Sequence, residues 1–265
     1  MPEPIDQQEE IMLTSQIKNA IKHILALNPW IYDKAWTLYD LRKPIYRIHN
    51  DESIHLSDRE RETFDAIYNA NLWSCSESKS GYGSTLAYTA QLRKDLRNLV
   101  EYYDIRSLLD APCGDFNWMQ QIEFPEDFRY IGGDIVGGLV DELSNKYKDA
   151  RRTFVTMDVS RDALPDVDLW LCRDCLFHLP NSDILATLQN FQRSEIRFLL
   201  TTTFRFPRSN IDITHGAFRY INLSLAPFCL PKPLTYIKDY VVPFAPRWLG
   251  LWSRAQLADW EPKEG

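Results

Sequence analysis

The sequence lacks any uninterrupted apolar run that approaches the roughly 20 residues needed to cross a bilayer. Residues 1–10 are acidic and polar, so we do not expect them to be a secretory signal. Its five cysteines are scattered and odd in number, which predicts reduced thiols rather than a disulfide framework. These absences together predict a cytoplasmic protein with no membrane span.

Positive charge is not in surplus either. The chain holds 30 Lys and Arg against 37 Asp and Glu, so its formal net charge is −7 at pH 7. Proteins that bind a phosphate backbone usually present a basic patch. The nearest candidates, at residues 93–97 and 151–152, are short and read as solvated faces. We therefore expect no nucleic-acid partner.

A zinc-knuckle pattern is missing as well. Cys172 and Cys175 form a C-x-x-C pair, but no second pair follows at zinc-ligand spacing, so we assign no metal site.

The chain is rich in aromatic side chains, which make up 13% of its residues. Most of these should be core residues, and some could form a pocket that stacks on ring-shaped ligands.

The first hundred residues are predicted to be helical. Apolar residues recur at nearly helical spacing over 8–27, 30–41, 57–72 and 85–103. Ser57, with Glu60 three residues later, has the pattern of a capping box at the start of the third helix. Between the third and fourth helices lies a turn-rich segment, residues 77–84, which contains two glycines.

From residue 105 short apolar runs alternate with stretches long enough for helices. This alternation predicts a parallel sheet that is covered by helices on both faces. Two late candidates joined by a proline-rich connection are compatible with an antiparallel strand at the sheet edge. The predicted strands are residues 107–111, 130–134, 153–158, 167–172, 197–203, 234–242 and 248–253.

A glycine turn and acidic residues follow the first three predicted strands. Gly114 comes after the first strand, where a glycine lets the backbone approach a ligand closely. Asp110, Asp134 and Asp158 stand at the ends of three successive strands, where carboxylates can bind a nucleoside. Aspartate is also common there as a helix N-cap, which is the structural alternative for each residue. The G-x-G-x-x-G pattern of a dinucleotide site is incomplete, because Asp115 occupies the position of its second glycine.

This set, over residues 107–203, resembles the pattern of class I S-adenosylmethionine (SAM)-dependent methyltransferases. The resemblance implies an α/β Rossmann-like fold, with a mostly parallel seven-stranded sheet and one antiparallel edge strand, spanning residues 105–265. Residues 1–104 would be an N-terminal helical extension that includes a cofactor-covering segment. It also implies SAM as cofactor, bound at its methionine end by the glycine loop, at its ribose by Asp134 and at its adenine by Asp158. The full set of cofactor residues expected on this basis is Gly81, Ser84, Asp110, Ala111, Gly114, Asp134, Ile135, Asp158, Val159 and Arg173.

A narrower resemblance rests on four segments, at residues 80–85, 110–119, 173–178 and 222–228. Together they are similar to a methyltransferase subgroup found alongside surface-polysaccharide genes. This resemblance implies O-methylation of a sugar hydroxyl in a glycan or glycoconjugate.

His178, after the fourth strand, is the candidate general base, because an alcohol must lose a proton and imidazole titrates near neutrality. Asp174 could orient that histidine or bind the acceptor. The alternative is a histidine at a helix start that only packs or caps. For the acceptor, a saccharide or another small molecule, we expect the polar residues of segment 210–222 to supply contacts, unless they only satisfy the backbone of an irregular loop: Asp212, His215, Arg219 and Asn222.

Other interpretations remain open at the level of sequence. Asp174, Asp212 and His215 could instead hold Mg²⁺, although no spacing requires it. The acceptor could be a small metabolite or a protein side chain rather than a sugar. The chain could also be a catalytically silent nucleoside-binding scaffold. A nicotinamide-dependent oxidoreductase is disfavoured, because it would need the full glycine pattern. The oligomeric state is not indicated.

Overall fold

The computed structural model describes residues 23, 27–40 and 60–263. The helix predicted at 8–27 lies almost wholly outside this part of the chain, and so does Ser57 of the predicted capping box. Five α-helices are described, and none of them is long and apolar enough to cross a membrane. They are α1 (Pro29–Asp40), α2 (Glu60–Asn69), α3 (Ala90–Tyr102), α4 (Gly137–Tyr147) and α5 (Asn181–Arg193).

Seven strands form one sheet in the order β3-β2-β1-β4-β5-β7-β6. Strands β1 to β5 run parallel, whereas β7 is antiparallel to both of its neighbours. The predicted seven-stranded, mostly parallel sheet is thus confirmed, with its antiparallel strand next to the edge strand β6. The strands are β1 (Ser107–Asp110), β2 (Arg129–Asp134), β3 (Arg152–Thr156), β4 (Leu169–Cys172), β5 (Phe198–Phe204), β6 (Thr235–Lys238) and β7 (Arg247–Ser253).

The central strands are buried on both faces because helices and loops cover both sides of the sheet. Leu108 contributes to the core on one face, and Leu109 contributes to the core on the other. Leu171 and Trp170 alternate in the same way along β4. Successive side chains of a strand point to opposite faces, so a strand buried on both sides reads as a continuous apolar run.

The helices that precede β1 belong to these same two cores. Tyr32 of α1 is fully buried, stacks on Tyr240 at 5.6 Å between ring centroids, and donates a hydrogen bond from its hydroxyl to the Phe244 carbonyl at 2.7 Å. Tyr68 of α2 packs with Leu92 of α3 in the core of the other face. A division of the chain at residues 104/105 stays a prediction.

Candidate functional site

A cavity of about 340 Å³ lies at the carboxyl edge of the parallel strands, where open α/β sheets bind their ligands. Its size is that of a small-molecule site. The loops after β1, β2 and β4 form one side. The short 3₁₀ turn Tyr82–Ser84 and helix α2 close it from the other side.

The loops after β1 and β2 are joined through a buried carboxylate. Asp134 accepts hydrogen bonds from the amide of Gly114 at 3.0 Å and from the amide of Val136 at 3.1 Å. Burial raises the pKa of Asp134 to about 6, and these backbone donors oppose the rise. Gly114 has a φ of +54°, a region that L side chains rarely adopt. The carboxylate therefore sets the shape of the glycine loop while it also lines the cavity.

Asp110 lies at the bottom of the same part of the cavity. Its Oδ2 accepts a hydrogen bond from the Tyr130 hydroxyl at 2.8 Å. Burial raises the pKa of Asp110 to about 7, although Tyr130 and the positive charge of Arg173 oppose this. Two desolvated carboxylates thus line the cavity, and a ligand with several hydrogen-bond donors would stabilise their charged forms.

The loop after β3 contributes apolar walls. Met157 and Val159 line the cavity together with Ile135. Asp158 is not among the lining residues, and its Oδ1 accepts from the amide and hydroxyl of Ser160, at 2.9 and 2.6 Å. Its predicted contact to adenine stays a prediction, as does the contact of Ala111, which the cavity does not reach.

Residues 77–84, the covering segment, lie directly over the glycine loop. The Asp115 amide donates to Ser80 Oγ at 2.9 Å, and the Asp115 carboxylate accepts from the Lys79 amide at 2.9 Å. Asn117 donates to Glu77 Oε1 at 3.0 Å and to the Ser84 carbonyl at 3.1 Å. Asp115, the residue that departs from the glycine pattern, thus holds the covering segment by two hydrogen bonds.

Gly81 and Ser84, both expected to touch cofactor, line the cavity from this segment. The close approach depends on the glycine beneath it. A Cβ added at Gly114 would lie 2.3 Å from Ser80 Oγ. The segment therefore forms a wall of the cavity rather than a plain connector between helices.

A cluster of four charged side chains stands beside the covering segment. Arg173 forms two hydrogen bonds to Asp239, from Nε at 2.9 Å and from Nη2 at 3.1 Å, and also donates to the Gly83 carbonyl at 2.7 Å. Arg247 donates to Asp174 Oδ2 at 2.7 Å. Burial by itself would raise the pKa of Asp239, but the two arginines outweigh burial and lower it. The cluster keeps Arg173 and Asp174 in fixed positions at the cavity wall.

One donor of this cluster is unused. Arg247 Nη2 is buried and has no hydrogen-bond partner among the described residues. Arg247 as a residue lines the cavity, and its guanidinium also lies over the Tyr88 ring at 5.1 Å from the ring centroid.

The other end of the cavity is aromatic. Trp73 and Phe218 contact the ring of His178, at 6.0 and 5.8 Å between centroids, and Phe177 contacts it at 4.5 Å. Further rings from α2 complete this wall, Phe64 and Tyr68. Such a wall provides flat apolar faces for a ring-shaped molecule.

His178 is buried within this aromatic wall and lines the cavity. Its Nδ1 lies 2.9 Å from the Ala217 carbonyl, which can only accept, so Nδ1 carries the proton and Nε2 is an acceptor. Burial lowers the pKa of His178 to about 4, although the bond to Ala217 opposes this. The imidazole is therefore neutral at physiological pH.

The residues predicted for acceptor binding lie outside the cavity lining. Asp212 accepts from the amide of Asn181 at 2.8 Å, at the first residue of α5. Arg219 is fully buried and donates to the Leu176 carbonyl at 3.0 Å and to Asn181 Oδ1 at 3.0 Å. These bonds hold the loop after β5 against the start of α5. A substrate role for these side chains stays a prediction.

His215 and Asn222 also have protein partners. His215 Nε2 lies 2.6 Å from Asp183 Oδ2. Asn222 Oδ1 accepts from the Ser224 amide at 3.0 Å. The set considered for Mg²⁺ is not brought together, because Asp174 binds Arg247, Asp212 binds the start of α5 and His215 binds Asp183.

Several site residues were not identified from the sequence. Arg247 is the first residue of β7, and Asp239 follows β6 directly. In the sequence, the only indication of their role is a charged residue next to apolar neighbours. Phe64 on α2 and Trp73 in the turn after α2 carry no local signal, because aromatic residues usually pack in a core. Their place in the cavity follows from the tertiary structure.

Comparisons with solved structures agree with this architecture. Magnesium protoporphyrin IX methyltransferase from Synechocystis, with bound SAM, aligns at 13% identity and a TM-score of 0.53, covering 74% of this chain and 97% of that one. The 1,6-didemethyltoxoflavin-N1-methyltransferase of Burkholderia thailandensis, with bound 1,6-didemethyltoxoflavin and S-adenosylhomocysteine, aligns at 16% identity and 0.52, covering 79% and 98%. PigF with S-adenosylhomocysteine aligns at 15% and 0.53, covering 77% and 65%.

No protein-family model matches the sequence, and a search of the curated proteins finds no match. At the identities above, the structural likeness establishes the fold. The chain has the Rossmann-like fold of class I SAM-dependent methyltransferases, with the strand order 3-2-1-4-5-7-6.

Proposed function

We propose that this chain is a SAM-dependent methyltransferase that O-methylates a sugar hydroxyl of a glycan or glycoconjugate. The observation that carries the proposal is the continuity of the cavity. At one end it has the glycine loop and two buried carboxylates, and at the other an aromatic wall around a neutral histidine. Both ends open into one space, as a transfer between two bound molecules requires.

The residues present fit the cofactor. Asp134 offers acceptor oxygens to ribose hydroxyls, and Ile135 and Val159 offer apolar surfaces to a flat base. Asp110 is a buried carboxylate whose charge the ammonium of a methionine group would offset. The positive charge of Arg247, which lines the cavity, would attract the carboxylate of the methionine group. When bound, SAM would supply a methyl group that is already activated for transfer.

The acceptor end suits a sugar because sugars have both apolar faces and hydroxyls. The rings of Trp73, Phe177 and Phe218 can stack on an apolar face of the sugar. Asp174 lines the same cavity and can accept a hydrogen bond from a hydroxyl. These contacts would orient one hydroxyl oxygen for attack, and exclusion of water by the rings would strengthen them.

His178 is the proposed general base. Its Nδ1 proton is held by the Ala217 carbonyl, so Nε2 presents a lone pair that can take the hydroxyl proton as the oxygen forms its new bond to carbon. The low pKa of His178 keeps Nε2 unprotonated at physiological pH. It also means that the imidazolium formed is not stabilised, and the proton must pass on to water when the product leaves.

The aromatic wall also favours a second candidate, methylation of a flat heterocyclic small molecule. The toxoflavin-pathway neighbour holds 1,6-didemethyltoxoflavin, a ring-shaped acceptor. A nitrogen acceptor that is already unprotonated needs no base. The two candidates therefore differ in their dependence on His178.

The test has two stages. Calorimetry with SAM, S-adenosylhomocysteine and NAD should show binding of the two adenosyl ligands and none of NAD. Incubation with methyl-labelled SAM and a panel of free sugars, nucleotide sugars and flat heterocycles should then label a sugar oxygen, identified by mass spectrometry. Absence of adenosyl binding would remove the cofactor assignment, whereas label on nitrogen alone would replace the sugar by the second candidate.

A further inference from the structure

Three metal-ligating side chains from distant parts of the chain meet near the aromatic end of the cavity. Glu60 is the first residue of α2, Asp183 lies in the first turn of α5, and His215 lies in the loop after β5. One potential ligand atom from each lies within 4.8 Å of those of the other two. Among the described residues no other group of His, Cys, Asp and Glu meets this condition.

Glu60 is the unusual member of this group. Its side chain is buried, with a residue exposure of 7%, and its Oε2 has no hydrogen-bond partner within the described ranges. A buried carboxylate oxygen without a partner is costly, and native structures usually satisfy such atoms. Burial, followed by repulsion from Asp158 and Asp183, raises the pKa of Glu60 to about 7. A cation at this point would offset both effects.

His215 and Asp183 complete a set of nitrogen and oxygen donors. Their contact, 2.6 Å between Nε2 and Oδ2, places the imidazole and the carboxylate side by side. Both side chains are only 15–16% exposed, so an ion between them would be largely shielded from water. A metal that bridges the two would take the place of their direct bond.

We propose that Glu60, Asp183 and His215 bind a divalent metal ion of the Mn²⁺ or Zn²⁺ class. Two carboxylates and one imidazole form a borderline-hard donor set that suits such ions better than Ca²⁺, which takes oxygen ligands only. Three protein ligands leave coordination positions open. The site does not depend on the proposed function and can be tested without SAM.

The position of the site gives it a role if the proposed function holds. Glu60 lines the cavity, and Phe64, one turn later in α2, belongs to its aromatic wall. An ion held by Glu60 would therefore lie at the acceptor end, where its open positions could bind acceptor oxygens. This role rests on the proposed methyl transfer, whereas the metal site itself does not.

Mn²⁺ is the probe of choice, because the partly exposed thiols of Cys75 and Cys229 would compete for Zn²⁺ and bind Mn²⁺ poorly. The full chain, treated with EDTA and dialysed, is titrated with Mn²⁺ while the electron paramagnetic resonance signal of the free ion is followed. The variants are Glu60→Gln, Asp183→Asn and His215→Ala. The matched control is Glu126→Gln, an exposed glutamate at the opposite, amino end of the sheet. Circular dichroism checks that each variant is folded.

We expect the wild type and Glu126→Gln to bind about one Mn²⁺ ion per chain, and His215→Ala and Asp183→Asn to bind about 100-fold more weakly or worse. Glu60→Gln keeps the shape of the side chain and should also weaken binding. Mn²⁺ should raise the midpoint of thermal unfolding of the wild type but not of these variants. The site would be overturned if the wild type did not bind Mn²⁺, or if all three variants bound it as tightly as the wild type. Either result leaves the SAM-binding test unaffected.

Discussion

The backbone amide of Asp115 donates to Ser80 Oγ at 2.9 Å, while the Asp115 carboxylate accepts from the amide of Lys79 at the same distance. One residue of the glycine loop thus makes two bonds to the covering segment. A glycine at position 115 would keep only the first of them. The departure from the usual glycine pattern gives the covering segment a second attachment.

Removal of that attachment should loosen the covering segment. In Asp115→Gly the amide of Lys79 loses its acceptor, at a cost of about 1 kcal/mol. We expect hydrogen exchange of residues 77–85 to be faster than in the wild type by about fivefold, and S-adenosylhomocysteine to slow it in both proteins. Asp149→Gly, an exposed aspartate on the far side of β3, is the control. Unchanged exchange in Asp115→Gly would show that the bond does not hold the segment.

Asp134 should be essential for cofactor binding. Asp134→Ala removes the acceptors proposed for the ribose and the bonds from Gly114 and Val136 that shape the loop. We expect the Kd for S-adenosylhomocysteine to rise by about 100-fold or more, equivalent to about 3 kcal/mol. Calorimetry measures it, with Asp166→Ala, an exposed residue before β4, as control. Wild-type affinity in Asp134→Ala would remove the ribose assignment.

Cofactor affinity should also depend on pH through Asp134. Its pKa of about 6 in the free protein means that the carboxylate becomes protonated as the pH falls from 7 to 5. Because the charged form is the better acceptor, the affinity for S-adenosylhomocysteine should decrease over that range. The measurement is calorimetry at stepped pH values. In Asp134→Asn, which has no titrating group at this position, the decrease should be smaller.

His178 should affect turnover and not cofactor affinity. If Nε2 accepts the hydroxyl proton only during transfer, His178→Ala lowers kcat by about 10²–10⁴-fold and leaves the Kd of SAM nearly unchanged. Steady-state kinetics with the best acceptor, together with calorimetry, separate the two effects. Near-normal kcat would point to the heterocyclic nitrogen acceptor, which needs no base.

The buried neutral histidine should also make the fold sensitive to acid. The pKa of His178 is lowered to about 4 in the folded chain, against 6.5 when unfolded. The unfolded state therefore binds the proton first, so the stability that this residue contributes is fully present above pH 6.5 and is lost as the pH falls towards 4. The loss over that window is about 3 kcal/mol at most. Urea unfolding at stepped pH gives the free energy of unfolding at each pH. Between pH 6.5 and 4 this free energy should fall less steeply for His178→Phe than for the wild type.

The sheet could be predicted because its central strands are buried on both faces, which requires short, continuous apolar runs in the sequence. The apolar residues 108–109 and 169–172 mark central parallel strands, and Asp110, at the carboxyl end of the first of them, marks the ligand edge. The end of β2 at Asp134 was likewise visible in the sequence. For these strands the sequence pattern agrees with the tertiary structure, because burial on both faces of the sheet accounts for both the apolar pattern and the central position.

The acceptor end was less predictable, since it depends on contacts between distant segments. The polar residues of 210–222 predict a sugar-binding surface. In the structure, Arg219 of this segment donates to the backbone carbonyls of Leu176 and Ile211. A buried arginine and an exposed one look alike in a sequence. Glu60 on α2 and Trp73 in the turn after it reach the cavity because of the position of α2 relative to the sheet, which no local pattern encodes.

The 2.3 Å distance that would separate a Cβ at position 114 from Ser80 Oγ links two positions that lie far apart in the chain. Alanine at 114 would need residue 80 to shorten or move away, and it would also need the backbone to leave its φ of +54°. The glycine and the serine should therefore vary together among descendants of this sequence, independently of what the cavity binds. If Gly114 is retained, the reason can be the close packing of the covering segment on the glycine loop as much as the binding of a cofactor.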